Sequence, residues 1–112
     1  MVASGTRAVS ANSGTLEGYS AVERGIVQLN VTAASGTTPT LDVVIEDSVD
    51  GTNWNTFATF TQKTTTGIEV VRIADTVAFS DIVRIRWTIA GTSPSFTFIV
   101  NSYWESEQEF RG

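Results

Sequence analysis

The side chains able to do chemistry in this chain are few, and the two most versatile types are missing: there is no histidine and no cysteine. Nucleophilic hydrolysis by Ser–His–Asp or Cys–His arrangements needs an imidazole base or a thiol, and zinc sites rely on the same two side chains. What remains is a group of acids at Asp42, Glu46, Asp47 and Asp50. Two carboxyls flanking a glycosidic bond can hydrolyse it. Here Asp42 and Glu46 fall on one face of an extended segment and Asp47 on the other, the pattern of solvated strand-face charge beside a turn. Asp47, Asp50 and Asn53 offer oxygen atoms to Ca²⁺, but their spacing does not follow an EF-hand loop, and Asp50-Gly51 is already accounted for by turn chemistry. The expectation is a protein that is not an enzyme, with no cofactor and no metal.

Other residues suggest contact rather than catalysis. Arg84 and Arg86 share the outward face of one strand, with Arg72 in the same region. They pair either with Asp42, Glu46 or Glu69 across strands or with a neighbouring subunit. Tyr103, Trp104 and Phe110 stand in or beside an acidic C-terminal tail; large aromatics are costly to leave in water, so the tail either folds back or docks on a partner. In the small, polar N-terminal stretch, the arginine and apolar residues Arg7, Val9, Leu16 and Tyr19 are the candidate contacts. The candidate partner-binding set is therefore Arg7, Val9, Leu16, Tyr19, Arg84, Arg86, Tyr103, Trp104 and Phe110.

The elements that must position these residues are strands. Val, Ile and Thr make up about a third of the chain, while Leu occurs only at positions 16, 29 and 41 and Lys only at 63. β-Branched side chains suit a pleated surface and helices favour other residues. Residues 25–34 alternate, with Val27, Leu29, Val31 and Ala33 on one face and Gln28, Asn30 and Thr32 on the other. Residues 40–48 place Leu41, Val43 and Ile45 opposite Asp42, Val44 and Glu46. Residues 54–61 place Trp54, Thr56, Ala58 and Phe60 on one face. Further strands are expected at 68–73, at 82–90 (Val83, Ile85, Trp87 and Ile89 inward) and at 95–103 (Phe96, Phe98 and Val100 inward), with short ones near 6–10 and 15–20. Turns are expected at 35–39, 50–53, 64–67 and 91–94, from their Gly, Pro, Asn and Asp content.

Strands of this length and spacing predict an all-β, antiparallel β-sandwich, jelly-roll-like or immunoglobulin-like, with six to eight strands. The expected organisation is an extended N-terminal arm at 1–23, the sandwich at 24–103 and an acidic tail at 104–112. Ser35-Gly36-Thr37-Thr38-Pro39 echoes Ala90-Gly91-Thr92-Ser93-Pro94. Either a hairpin was duplicated, or both segments answer the same geometric demand.

A net charge of −5 disfavours nucleic acid and anionic membranes as partners. No apolar run approaches the roughly 18–20 residues of a membrane span. The first residues lack the pattern of a secretory signal, which suggests synthesis without standard export.

Ser48-Val49-Asp50-Gly51-Thr52-Asn53-Trp54 resembles the Asp-box hairpin of sialidase-type repeats, one residue short between Asp50 and Gly51 and present once. It also resembles the Ser-x-Asp-Gly-x-x-Trp hairpins of discoidin-like sandwich modules. Trp54 then either covers its own hairpin or offers a platform to a sugar ring. Over residues 25–101 the chain resembles small virion proteins of tailed phages. The resemblance lies in Ser35-Gly36-Thr37-Thr38-Pro39-Thr40-Leu41-Asp42-Val43, in Ser48 to Trp54, in Val83-Arg84-Ile85-Arg86 and in Gly91-Thr92-Ser93-Pro94-Ser95-Phe96-Thr97-Phe98. It implies a sandwich that forms a homo-oligomer, often a trimer, and grips the major capsid protein as a decoration (cement) protein. Head–tail or tail accessory roles are also implied for this group, and its place would be the virion, assembled in the host cytoplasm. A carbohydrate-binding module is the alternative, and it requires an exposed aromatic strip.

Overall fold

The computed structural model describes residues 1–16, 24–74, 76–77 and 79–105. Tyr19 and Phe110 lie outside the described residues. Among the described residues six strands follow one another: β1 (Val2–Arg7), β2 (Ala11–Asn12), β3 (Arg24–Ser48), β4 (Asn55–Thr59), β5 (Gly67–Ile73) and β6 (Ile82–Glu105). All ladders are antiparallel. The order is β1-β6-β3-β4, with β2 also on β6 and β5 also on β3. The chain is the expected antiparallel all-β, sandwich-like protein.

Two expected turns are not turns. Residues 35–39 and 91–94 lie within β3 and β6, which run 25 and 24 residues and pair with each other along nearly their whole length. A straight strand of that length would span about 80 Å, yet the molecule measures 51 Å along its longest axis. The long ribbon must therefore bend, and it does so at the two Gly-Thr-Thr/Ser-Pro segments, which sit opposite each other around the Thr37–Thr92 pair. Gly36 (φ 112°) and Gly91 (φ 119°) take positive dihedrals there, as do Thr38 (φ 46°) and Ser93 (φ 49°), a region that non-glycine residues rarely enter. Gly and Pro at this spacing predict reversal. Here the same dihedrals fold a paired ribbon without breaking it.

Bending brings the two ends of the ribbon together as two layers. One layer holds β1, the second half of β6, the first half of β3 and β5. The other holds β2, the first half of β6, the second half of β3 and β4. Val27, Leu29, Val31, Phe96, Phe98 and Val100 from one layer join Leu41, Val43, Ile45, Ile85 and Trp87 from the other in one buried cluster, with Phe60 and Ile73. These inward faces are the ones that the period-two pattern assigns, except at Ala33, which is exposed because the β3–β6 register shifts between Val31 and Ala33. Each such fully buried side chain contributes about 1.5–3 kcal/mol. Trp87 and Phe98, eleven positions apart in β6, meet edge to face at 5.5 Å between ring centroids, a contact that only a bent strand allows. At the far end Phe79 stacks on Phe57 (5.2 Å) and touches Trp104 (5.7 Å).

Residues 54–61 do not alternate simply. Ile45 pairs with Ala58 but Glu46 with Thr56, so Phe57 is an extra residue in β4. Such a bulge shifts the faces by one residue. Ala58 and Phe60 stay on the core side, while Thr56 and Trp54 turn outward.

Gly25 pairs with Trp104 across β3 and β6, and the indole lies where a Cβ on residue 25 would be. A ring laid over a strand glycine restores packing that the missing side chain leaves open. Gly25→Ala must push the ring aside. It is expected to lower stability by about 2–3 kcal/mol, in the range of overpacking costs, and to shift the tryptophan emission of the folded protein; urea denaturation followed by fluorescence measures both.

Candidate interaction face

The sequence-predicted contact residues divide sharply. Arg7 is spent inside the fold. Its guanidinium donates to the carbonyls of Ala3, Gly5 and Phe98 at 2.8–3.1 Å and lies over the rings of Phe98 (4.5 Å) and Trp87 (5.0 Å). Val9 is exposed, but its carbonyl accepts the indole N–H of Trp87 at 3.2 Å. Leu16 bridges to Val83 through two backbone hydrogen bonds. Thus the described N-terminal residues form strands on β6: β1 lies at Val2–Arg7, ahead of the 6–10 expected, because small residues there carry no legible alternation.

Arg84 and Arg86 converge on Glu46. Their Nε atoms donate to its two carboxylate oxygens at 2.8 and 3.0 Å, and Glu46 is only 5% exposed. Burial by itself would raise the Glu46 pKa, but the two arginine hydrogen bonds and charges outweigh it and hold the carboxyl below its usual range. The Arg84 guanidinium also covers the Trp54 ring at 4.2 Å. So Glu46 is no solvated acid; the outer face of this layer closes on itself.

The acids considered for a cation are likewise occupied. Asp50 Oδ1 accepts from the backbone N–H groups of Thr52 and Asn53 at 2.8 Å, and Ser48 Oγ accepts from those of Asp50 and Gly51. The donors from Asn53, then Thr52, keep the Asp50 pKa far below its ordinary value. Asp47 accepts the Ser80 N–H at 2.8 Å. Among the described residues no group of three acidic, histidine or cysteine side chains could hold a metal.

The outer face of the other layer is different. Register across β5, β3 and β6 sets three rows: Arg72–Ile26–Tyr103, Val70–Gln28–Asn101 and Ile68–Asn30–Ile99. Tyr103 is 60% and Ile68 64% exposed, and Ile26 and Val70 are exposed as well. A depression of about 190 Å³ lies at one end, lined by Arg24, Gly25, Ile26, Arg72, Tyr103 and Glu105. Arg24 and Glu105 pair at 2.8 Å, and Arg72 makes no ion pair among the described residues. Among the described residues β5 is also an outer strand, hydrogen-bonded only to β3.

Of the described residues in the sequence-predicted set, only Tyr103 belongs to this face. Alternation at 25–34 already puts Ile26 on the outward face with Gln28 and Asn30, whereas residues 68–73 are apolar at both parities, so alternation there does not say that Ile68 and Val70 meet water. Trp104 sits beside it but is committed to Gly25 and Phe79.

The chain matches no protein-family model, no curated protein and no solved structure.

Proposed function

We propose that this chain is a non-catalytic structural module of a tailed-phage particle, a capsid decoration protein that clamps neighbouring capsid subunits through the outer face of β5, β3 and β6. The observation that carries the docking reading is the contrast between the two outer faces. One is a closed network of Glu46, Arg84, Arg86 and Trp54. The other exposes Ile26, Ile68, Val70 and Tyr103 around uncharged amides, with charge only at one end. Large apolar side chains exposed together on one sheet face among uncharged polar ones mark protein contacts. The capsid as partner, and a homotrimer as the acting unit, come from the resemblance to small virion proteins.

The tryptophans weigh against the carbohydrate alternative. Trp87 is buried, Trp54 is capped by Arg84, and Trp104 is laid on Gly25. None joins an exposed strip on which sugars could stack.

The test pairs the purified chain with heads assembled from the major capsid protein of the same genome. The unaltered chain is expected to sediment with heads. The double variant Ile68→Ser/Tyr103→Ser, which touches no core residue, is expected to bind at least tenfold more weakly with an unchanged thermal midpoint. Equal binding by the variant would clear this face of the role. No sedimentation of the unaltered chain with heads, but capture by tails, would move the protein along the virion.

A further inference from the structure

Among the described residues every ladder of this sheet joins one half of the chain to the other. β1 and β2 pair with β6, β4 and β5 pair with β3, and β3 pairs with β6. The isolated bridges Leu16–Val83 and Leu41–Lys63 obey the same rule. Among the described residues no strand is hydrogen-bonded to a strand of its own half. Each half, 1–48 or 55–105, is a set of strands with no partner of its own, and one connection, 49–54, ties them.

The halves are also alike. Each reads short strand, short strand, long bent strand, and the ladder order is unchanged when β1, β2 and β3 are exchanged for β4, β5 and β6. Adding 55 to the residue number carries Gly36, Thr38 and Pro39 onto Gly91, Ser93 and Pro94, with matching dihedrals at the first two. The same shift carries the pair Asn12–Arg86 onto Gly67–Val31, Ser35–Ser95 onto Thr40–Ala90, and Ala33–Thr97 onto Asp42–Thr88. The Thr37–Thr92 pair maps onto itself, so a local two-fold axis passes through the crossing. The blocked Cβ positions obey it too: Gly36 faces Ser93 O and Pro94 Cα, and Gly91 faces Thr38 O and Pro39 Cα.

We infer that the folding unit is a pair of like three-stranded halves, and that the second half can be supplied by a second copy of this chain, two chains exchanging halves through 49–54 to build the sandwich twice. Exchange keeps every ladder and every core contact and alters only the connection. What favours pairing within one chain is the loop itself. Gly51 takes φ 79°, and the Asp50 carboxylate and Ser48 hydroxyl collect the loop's N–H groups, holding it closed. A closed loop presents the two halves to each other at an effective concentration on the order of millimolar.

The absence of native cysteine makes the test direct. Thr40→Cys and Ala90→Cys are placed at a cross-strand pair of β3 and β6, in the native chain and in a second chain whose residues 49–53 are all proline. Five prolines form an extended segment that cannot reverse over so short a distance. After mild oxidation and a non-reducing denaturing gel, the native-loop chain is expected as a single-chain band and the proline-loop chain as a covalent two-chain band, both retaining β-sheet circular dichroism. A single-chain disulfide in the proline-loop protein would overturn exchange. So would a folded proline-loop protein that forms no disulfide. Should the proline loop prevent folding, a protease site inserted between Gly51 and Thr52 decides. After cleavage the two pieces are expected to stay together and to refold only when mixed, whereas separation under native conditions, or refolding of either piece alone, would overturn the inference.

Discussion

Gly36→Ala is expected to lower the stability of this protein by about 3–5 kcal/mol, and Gly91→Ala by a similar amount. Two terms add at each site. The backbone sits at φ 112° or 119°, where an L-residue costs about 1–3 kcal/mol. The new methyl group would also lie 2.7 Å from a carbonyl oxygen and 2.9 Å from a Cα of the opposite strand. Those atoms are backbone inside a paired ribbon, so relief requires opening the crossing itself, a source of the unusually large losses. The double variant is expected to cost less than the sum, because the first methyl already separates the strands that the second would separate. Gly67→Ala is the control. Its Cβ meets nothing within 4 Å, and the change is expected to be neutral or stabilising by up to about 1 kcal/mol. Guanidinium denaturation at constant m-value resolves these differences. A loss below about 1 kcal/mol at Gly36 would mean that the crossing is looser than its geometry shows.

Glu46→Gln is expected to cost about 2–3 kcal/mol and to change how the protein responds to acid. Removing one partner of a buried ion pair leaves uncompensated charge and typically costs about 3–5 kcal/mol. The lower figure holds here because Arg86 keeps 42% of its side chain in solvent and Arg84 21%. The pH effect follows from the depressed Glu46 pKa. A carboxyl whose folded pKa lies below its unfolded value contributes its stabilisation in full above the unfolded value and loses it as pH falls through the folded one. Glu69 shifts the same way: burial opposes ionisation, but the Lys63 ammonium and the Thr61 N–H more than offset it. Stability should therefore be level near neutrality and fall as pH drops below the ordinary carboxylate value of 4.5. In Glu46→Gln the fall should be shallower, since one of the titrating groups is gone. Denaturation midpoints measured from pH 7 to pH 3 give both slopes; parallel curves would show that Glu46 is not a source of the acid sensitivity.

Much of this fold is legible in its sequence. Alternation at 25–31, 40–48, 82–90 and 95–103 names the apolar core faces, because a strand half-buried in a sandwich has only one way to hide every second side chain; it fails at Ala33, which is exposed beyond a register shift. The Asp50-Gly51 hairpin is equally local, its hydrogen bonds lying within six residues of one another. Residue types allow the pairing of Arg84 with Glu46 as one of several cross-strand partners. What tertiary structure decided is everything that depends on which strands meet. Gly36 and Gly91 signal an unusual dihedral, but whether it reverses a chain or bends a paired ribbon depends on the opposite strand, some 55 positions away. The bulge at Phe57 moves Trp54 from the core face to the Arg84 face, and it exists only because Ile45 and Glu46 take Ala58 and Thr56 as partners. Ile68 and Val70 are exposed, while Ile73 is buried, because a second layer covers one side of β5 and nothing among the described residues covers the other. Periodicity is a property of one strand; exposure and charge pairing are properties of neighbours.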